Sequence, residues 1–297
     1  MRIGILGAGN MGGAIACGYA AGGGAVCVYD PDTGKTDALV EAFDAGGAGF
    51  AGAAGVERGA SGAIEAAADE GELLARSDAV VLAIKPQMFD EVIPRLAGIL
   101  GAAGADGGAE GAGGAAAPKV FISIAAGISI DWLSRALGDD AKIIRVMPNT
   151  PAMVGEGMSA LARSPAVTDG EFEAVKGVFG AVGRSIEVTE SQMDAVTGIS
   201  GSSPAYAYMY MQALIESGVR HGLDERQARV LAAQSTLGAA KMVLENEGVS
   251  AEQLRLNVCS PGGTTIEAVA ALEKGGFMDT VKRAVYACVE KSRRMSR

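Results

Sequence analysis

Side chains and turns suited to binding or catalysis fall in a few short clusters. Gly7, Gly9 and Gly12 stand in G-x-G-x-x-G spacing between an apolar run, Arg2 to Leu6, and a helical stretch, Asn10 to Ala20. At such a place the first glycine makes the tight turn, the second lets backbone approach a pyrophosphate, and the third lets helix and strand pack closely. The helix start adds unsatisfied N–H groups and partial positive charge, which suit phosphates. A glycine-rich chain produces this spacing by chance, and its position at the first strand-to-helix turn is what makes it a dinucleotide fingerprint. Asp30 closes the next apolar run, Ala25 to Tyr29, where an acid accepts hydrogen bonds from the adenosine ribose and repels a 2′-phosphate. That favours NADH over NADPH. Lys35 follows closely enough to offset the charge, and Asp30-Pro31-Asp32 reads equally as a plain turn. Lys85-Pro86 and Ala125-Ala126-Gly127 follow later apolar runs, at strand ends that face the ligand crevice in an open α/β sheet. Small residues there admit a cofactor, while Lys85 is equally well explained as a solvated loop lysine.

The most informative stretch is LRLNVCSPGGTTIEAVAALE, from Leu254 to Glu273. A helix ends before Ser260, a Pro-Gly-Gly turn follows, and Thr264-Thr265 start the next helix. A turn that opens a helix converges N–H groups and hydroxyls on one point, a small anion site suited to a carboxylate. A simple helix cap is the plainer alternative. The single histidine, His221, leaves no histidine-based metal site and reads as a solvated helix-end residue. Cys17, Cys27, Cys259 and Cys288 form no C-x-x-C pair, so neither structural zinc nor a disulfide framework is expected.

These clusters need elements to position them. Strands are expected at Arg2 to Leu6, Ala25 to Tyr29, Val80 to Ile84, Val120 to Ile124 and Ile143 to Met147, with a helix from Phe89 to Leu100. Strands alternating with helices at this spacing predict a parallel sheet with right-handed crossovers. The stretches Ala45 to Gly62 and Gly101 to Ala117 are mostly glycine and alanine with scattered charges. With few large apolar side chains they cannot offset their ordering entropy, and both read as mobile surface insertions. Thr168 and Glu171 have capping-box spacing, opening a helix to about Val182, and Arg184 to Val188 is a last strand. Beyond Glu190 the chain reads as helical: Gln192 to Gly218, Asp224 to Glu247, Ala251 to Val258, Thr264 to Lys274 and Phe277 onward. The division expected is therefore a dinucleotide-binding domain, 1–189, and a helical domain, 190–297. The helix carrying Tyr206, Tyr208, Met209, Tyr210 and Met211 is apolar nearly all round and must be buried on most sides. A second copy of the chain and an ordinary core are the two coverings available.

The whole chain of 297 residues is 49% hydrophobic, enough for a sizeable core. Its formal charge of −10 argues against nucleic acid or an anionic membrane as a partner. The chain opens directly on a strand, without a basic stretch and long apolar run, so a cytoplasmic location is expected.

Taken together the blocks resemble the pyrroline-5-carboxylate reductase family. The stretch SPGGTT, with Asn257 before it and Ile266 after it, is similar to that family's signature, and Gly7-Ala8-Gly9-Asn10-Met11-Gly12 to its nucleotide turn. Ala83-Ile84-Lys85-Pro86, Ser123-Ile124-Ala125-Ala126-Gly127, Arg145-Val146-Met147-Pro148-Asn149-Thr150-Pro151 and Gly198-Ile199-Ser200-Gly201-Ser202-Ser203-Pro204-Ala205-Tyr206 match in the family's order. The resemblance spans the chain apart from the two Gly/Ala stretches. It departs from the pattern at Asp30, where relatives often carry a small neutral residue.

What the resemblance implies is a Rossmann-like parallel-sheet domain followed by an all-helical domain that intertwines with a twofold mate, with rings of such dimers in some members. The implied cofactor is NADPH or NADH and the implied substrate a small cyclic imino acid, reduced to L-proline. The pyrophosphate would lie on Leu6, Gly7, Ala8, Gly9, Asn10 and Met11, with Asp30 at the ribose. Ala83, Ile84, Lys85, Pro86, Ile124, Ala125 and Ala126 would line the cofactor, and Asn257 would reach it from the helical domain. The substrate carboxylate would sit on the turn of Ser260, Gly263, Thr264 and Thr265, with Glu190 at a substrate-site position. Thr265 is the best candidate to orient the ring, and Ser260 to support the turn. Two other readings share part of the pattern. A hydroxyacid dehydrogenase of the 6-phosphogluconate-like group would need a lysine base on the helix after Gly201, and residues 202–216 contain none. A dinucleotide-sensing protein without chemistry would have no need of the hydroxyls of Ser260, Thr264 and Thr265.

Overall fold

The computed structural model describes residues 1–45, 62–105 and 119–296. Contacts divide the chain into two units, Met1–Gly201 with Val289–Arg297, and Ser202–Cys288.

The first unit is built on β1 (Arg2–Leu6), α1 (Asn10–Ala21), β2 (Ala25–Tyr29), α2 (Thr33–Asp44), β3 (Ala63–Ala66), α3 (Glu70–Ala75) and β4 (Ala79–Leu82). It continues with α4 (Phe89–Ala105), β5 (Val120–Ser123), α5 (Ile130–Leu137) and β6 (Lys142–Met147). β7 (Gly157–Arg163), α6 (Asp169–Gly180), β8 (Gly183–Glu187) and the short α7 (Met193–Val196) complete it. The strands form one sheet in the order β3-β2-β1-β4-β5-β6-β7-β8. Successive residues point to opposite faces of a strand, so the apolar runs feed two cores. Ile3, Ile5, Val28, Val81 and Ile122 pack with Ile15 of α1 and Phe172, Val175 and Phe179 of α6. Leu6, Val80, Leu82 and Phe121 pack on the other face with Leu73, Phe89, Ile93 and Leu133. α1 is rich in small residues because it is covered closely: a Cβ on Gly18 would run into the Val182 side chain.

The expected parallel sheet holds except at one place: β7 lies antiparallel to β6. The connection 148–156 is a single 3-10 turn, Thr150–Val154, with Gly155 in the left-handed region at φ 72°. That is too short for a crossover helix, so the chain can only double back. The Thr168–Glu171 capping box forms, each residue's side chain accepting the other's backbone N–H. Most of both Gly/Ala stretches lies outside the described residues. At the edge of the second, α4 runs on to Ala105, past the expected end at Leu100. The helix expected from Gln192 is broken by a π-helical turn, Thr197–Gly201.

The second unit contains α8 (Ser203–Arg220), α9 (Glu225–Glu245), α10 (Ala251–Asn257), α11 (Thr264–Lys274) and most of α12 (Phe277–Met295), whose last turns belong to the first unit. α8 and α9 approach closely at Gly218, where a Cβ would come within 3.0 Å of the Ala228 Cβ. His221 caps the end of α8, its Nδ1 2.8 Å from the Ser217 carbonyl oxygen, and is exposed. Ala228 and Ala232 are the buried residues of this unit, while Tyr208, Met209 and Tyr210 are exposed in the single chain. No described helix is long and apolar enough to cross a membrane.

Candidate functional site

Strand register brings the candidate cofactor residues of the first unit to one edge of the sheet. Leu6 of β1 pairs with Tyr29 of β2 on one side and Leu82 of β4 on the other, and Leu82 pairs with Ser123 of β5. The segments that leave these strands, beginning at Gly7, Asp30, Ala83 and Ile124, therefore emerge side by side at the carboxyl ends. Between β1 and β4 the sheet order reverses, which is where an open α/β sheet offers its crevice.

The glycines of the turn do three different jobs. Gly7 adopts φ 106°, and a Cβ there would come within 2.6 Å of the Ala83 carbonyl oxygen. Gly12 lies so close beneath the turn that a Cβ would collide with the Gly7 carbonyl and meet the Ala83 side chain at 3.0 Å. Gly9 has no such neighbour: a Cβ built on it meets nothing within 4 Å. Its role is to leave the space above the turn open. Gly9 is also the N-cap of α1, with no side-chain hydrogen bond and no acid in the first turn. The first N–H groups of α1 thus face that space without a competing acceptor, which fits a pyrophosphate.

Asp30 is nearly buried and built into this turn. Its Oδ2 accepts the Ala8 N–H at 2.9 Å, and its Oδ1 accepts the Asp32 N–H at 2.9 Å. Lys35 reaches both acids, 3.7 Å from Asp30 Oδ1 and 3.3 Å from Asp32 Oδ2. The hydrogen bond to Asp32, with the charges of Asp30 and Asp32, holds the Lys35 ammonium above the usual lysine range. Ala83 and Ile84 are half-buried, and Lys85 is exposed ahead of a 3-10 turn that begins at Pro86. Ile124 and Ala126 are half-buried and Ala125 is buried. Gly127, at φ 79°, lies under the last turn of α12, where a Cβ would come within 2.7 Å of the Met295 carbonyl oxygen.

Glu190 also belongs to the first unit. Its Oε1 accepts the N–H of Ile130, the first residue of α5, at 2.7 Å and lies 3.1 Å from Nη1 of the buried Arg145. It also borders an open cavity of about 560 Å³ shared with Arg163, Asp169 and Glu187. Asn149 is a bracing residue that sequence reasoning passed over. Buried after β6, it donates from Nδ2 to the Ser200 carbonyl at 3.1 Å and accepts the Met158 N–H on Oδ1 at 2.8 Å. One side chain thereby ties the π-helical turn to β7. Its place in R-V-M-P-N-T-P was the only signal, because a buried amide leaves no periodic trace.

In the second unit the residues 260–265 form the turn expected of them. Gly262 takes φ 71°, the left-handed region that favours glycine. Gly263 donates its N–H to the Ser260 carbonyl at 3.0 Å, and a Cβ on it would come within 2.6 Å of Ser260 Oγ. Gly263 is the N-cap of α11 and makes no side-chain hydrogen bond. The opening N–H groups of α11 and the hydroxyls of Thr264 and Thr265 are thus exposed together on one turn. Asn257 ends α10, and its Oδ1 accepts from Gln253 Nε2 at 2.8 Å. Among the described residues no group of three or more His, Cys, Asp or Glu side chains is placed to hold a metal ion.

A profile for pyrroline-5-carboxylate reductase dimerisation matches residues 190–295, and one for coenzyme F420-dependent NADP oxidoreductases matches residues 2–102. Along its full length the chain is 37% identical to the pyrroline-5-carboxylate reductase of Escherichia coli strain K12, covering 98% of that protein. It is 34% identical to that of Pasteurella multocida, over 99% of this chain and 97% of the other. Among solved structures, a pyrroline-5-carboxylate reductase of Coxiella burnetii superposes with a TM-score of 0.82 at 31% identity, covering 99% and 98% of the two chains. The Plasmodium falciparum pyrroline carboxylate reductase with NADP bound superposes with a TM-score of 0.78 at 29% identity, covering 100% and 98%.

Proposed function

The chain belongs to the pyrroline-5-carboxylate reductase family, and from that premise we propose how its residues divide the work of the reaction. It is an NAD(P)H-dependent oxidoreductase that reduces the C=N bond of 1-pyrroline-5-carboxylate to give L-proline. The full-length match to the reductase of Escherichia coli carries this reading. The two competing readings from the sequence have no comparable support.

The reduced nicotinamide, when bound, supplies the hydride. Leu6 to Met11 hold the pyrophosphate on the glycine turn and the start of α1. Ala83, Ile84, Pro86 and Ile124 to Ala126 give the dinucleotide a floor of small and apolar groups, with Lys85 exposed at its margin, and the family resemblance adds Asn257 as a further cofactor residue. The substrate carboxylate lies on the turn of Ser260, Gly263, Thr264 and Thr265, where uncapped N–H groups and the partial charge of α11 favour an anion. Ser260 shapes that turn through its hydrogen bond from Gly263. Thr265 orients the ring near its nitrogen. As the hydride adds to the imine carbon, the C=N electron pair moves to a nitrogen that is already protonated. No strong protein acid is required, and a chain with one exposed histidine can catalyse the step. Catalysis then consists mainly of positioning, which is worth several kcal/mol when reacting atoms are held about 3–3.5 Å apart.

Glu190 commits its Oε1 to Arg145 and Ile130, so a role toward substrate falls to its other oxygen. The helical unit leaves its large apolar side chains uncovered, in keeping with the homodimer that the dimerisation profile marks. We extend this to a ring of dimers, which light scattering of the purified protein would resolve by mass. We place the reaction in the cytoplasm, where four cysteines outside disulfides stay reduced. The decisive assay is oxidation of the reduced dinucleotide with pyrroline-5-carboxylate, with L-proline identified as product. Dinucleotide oxidation without proline would sink the reading.

A further inference from the structure

We propose that Asp30 and Asp32 make this reductase selective for NADH, by offering the ribose a preset acceptor and the 2′-phosphate a negative one. The inference rests on the first unit being the dinucleotide site. Asp30 follows β2 directly, where the adenosine ribose falls in a sheet of this order. Its carboxylate is 11% exposed and is aimed by two backbone donors, Ala8 on Oδ2 and Asp32 on Oδ1. Each oxygen can accept a further bond. A vicinal diol donates two, so a ribose with both hydroxyls free completes the carboxylate at no cost in reorientation.

A 2′-phosphate offers no donor there and brings about 1.5–2 negative charges. Such a group is ordinarily met by an arginine fork or an uncommitted lysine. The connection from β2 to α2, Asp30-Pro31-Asp32, has no arginine, and the cation that reaches it, Lys35, is shared between both acids. One cation between two anions leaves the group with a net negative charge. The start of α2 offers no relief either. Asp32 is its N-cap residue, and its Oδ1 lies 3.3 Å from where a Cβ on Gly34 would stand, over the first turn. The helix end that would attract a phosphate already carries a carboxylate.

Calorimetric titration of the purified full-length protein with NADH and NADPH separates the possibilities. The wild-type protein is expected to bind NADH at least about tenfold more tightly. Asp30→Asn removes the charge yet keeps an oxygen for one backbone donor. It should weaken NADH binding several-fold while strengthening that of NADPH. Asp32→Asn leaves the Ala8 hydrogen bond untouched and should strengthen NADPH binding alone. NADPH binding as tight as NADH in the wild-type protein would overturn the selectivity and leave the reductase assignment standing. So would a parallel loss for both dinucleotides in Asp30→Asn with no change in Asp32→Asn, since Asp30 would then only hold up the glycine turn. Binding of neither dinucleotide would overturn the proposed function as well.

Discussion

In the first unit Ile3, Ile5, Ile15, Leu82 and Phe172 are buried to within 1% of their surface, whereas the buried residues of the second unit are two alanines. Met209, at 72% exposed, and Tyr208, at 58%, are among the large apolar side chains that the helical unit leaves uncovered. Exposed apolar surface on this scale marks an interaction face. One unit closes its core within the chain, around a sheet at whose carboxyl edge we place the dinucleotide. The other is completed only by association. A helical stretch can thus be well formed, with caps in place, and still lack any independent means of hiding its apolar surface.

The contrast can be broken most strongly at Met209. Met209→Asp should weaken self-association by about a hundredfold or more, because a charge would be desolvated on an apolar face. Sedimentation velocity would show monomers, and an unchanged dimer would remove α8 from the interface. Next in size is the matching change in the first unit. Phe172→Ala empties a fully buried site and should cost about 3–5 kcal/mol in denaturant unfolding, without altering the oligomer's mass at native conditions. The smallest effects lie at the helix caps. Thr168 and Asp224 each cap a helix with a capping box, one in each unit. Their alanine variants should each lose about 0.5–2 kcal/mol. For Asp224→Ala the loss should register as a melting temperature that depends on protein concentration, since the second unit unfolds with its interface.

Much of this division is legible in the sequence. β1, β2 and α11 fall where their apolar runs and turns put them, and the glycine spacing, placed between the first strand and the first helix, marks the candidate nucleotide turn. The two strands that were missed share a physical reason. β3, Ala-Ile-Glu-Ala, is an edge strand with one buried residue, so it carries no alternation to read. β7 mixes glycine, serine and alanine in a strand buried along most of its length, and again the period is hidden. α5 did leave a signal, since the Ser129 side chain accepts the Trp132 N–H at its start, but no glutamate completes a box. Pro204 similarly marks where the break before α8 ends, its ring being tolerated only in a first turn. At the site, the glycines and the Ser260–Thr265 turn were readable because backbone conformation restricts residue type. The roles of Asn149 and of Arg145 beside Glu190 were not, because long-range polar pairing leaves no mark on local sequence.

We place the substrate on the turn that opens α11 and the dinucleotide on the sheet of the first unit. Thr265→Ala tests this placement by splitting two quantities, kcat/KM for pyrroline-5-carboxylate and the dissociation constant of the reduced dinucleotide. The first should fall about a hundredfold or more while the second stays within about twofold, as expected when one oriented contact to the reacting ring is removed. Unchanged kcat/KM, or an equal loss of dinucleotide binding, would contradict it.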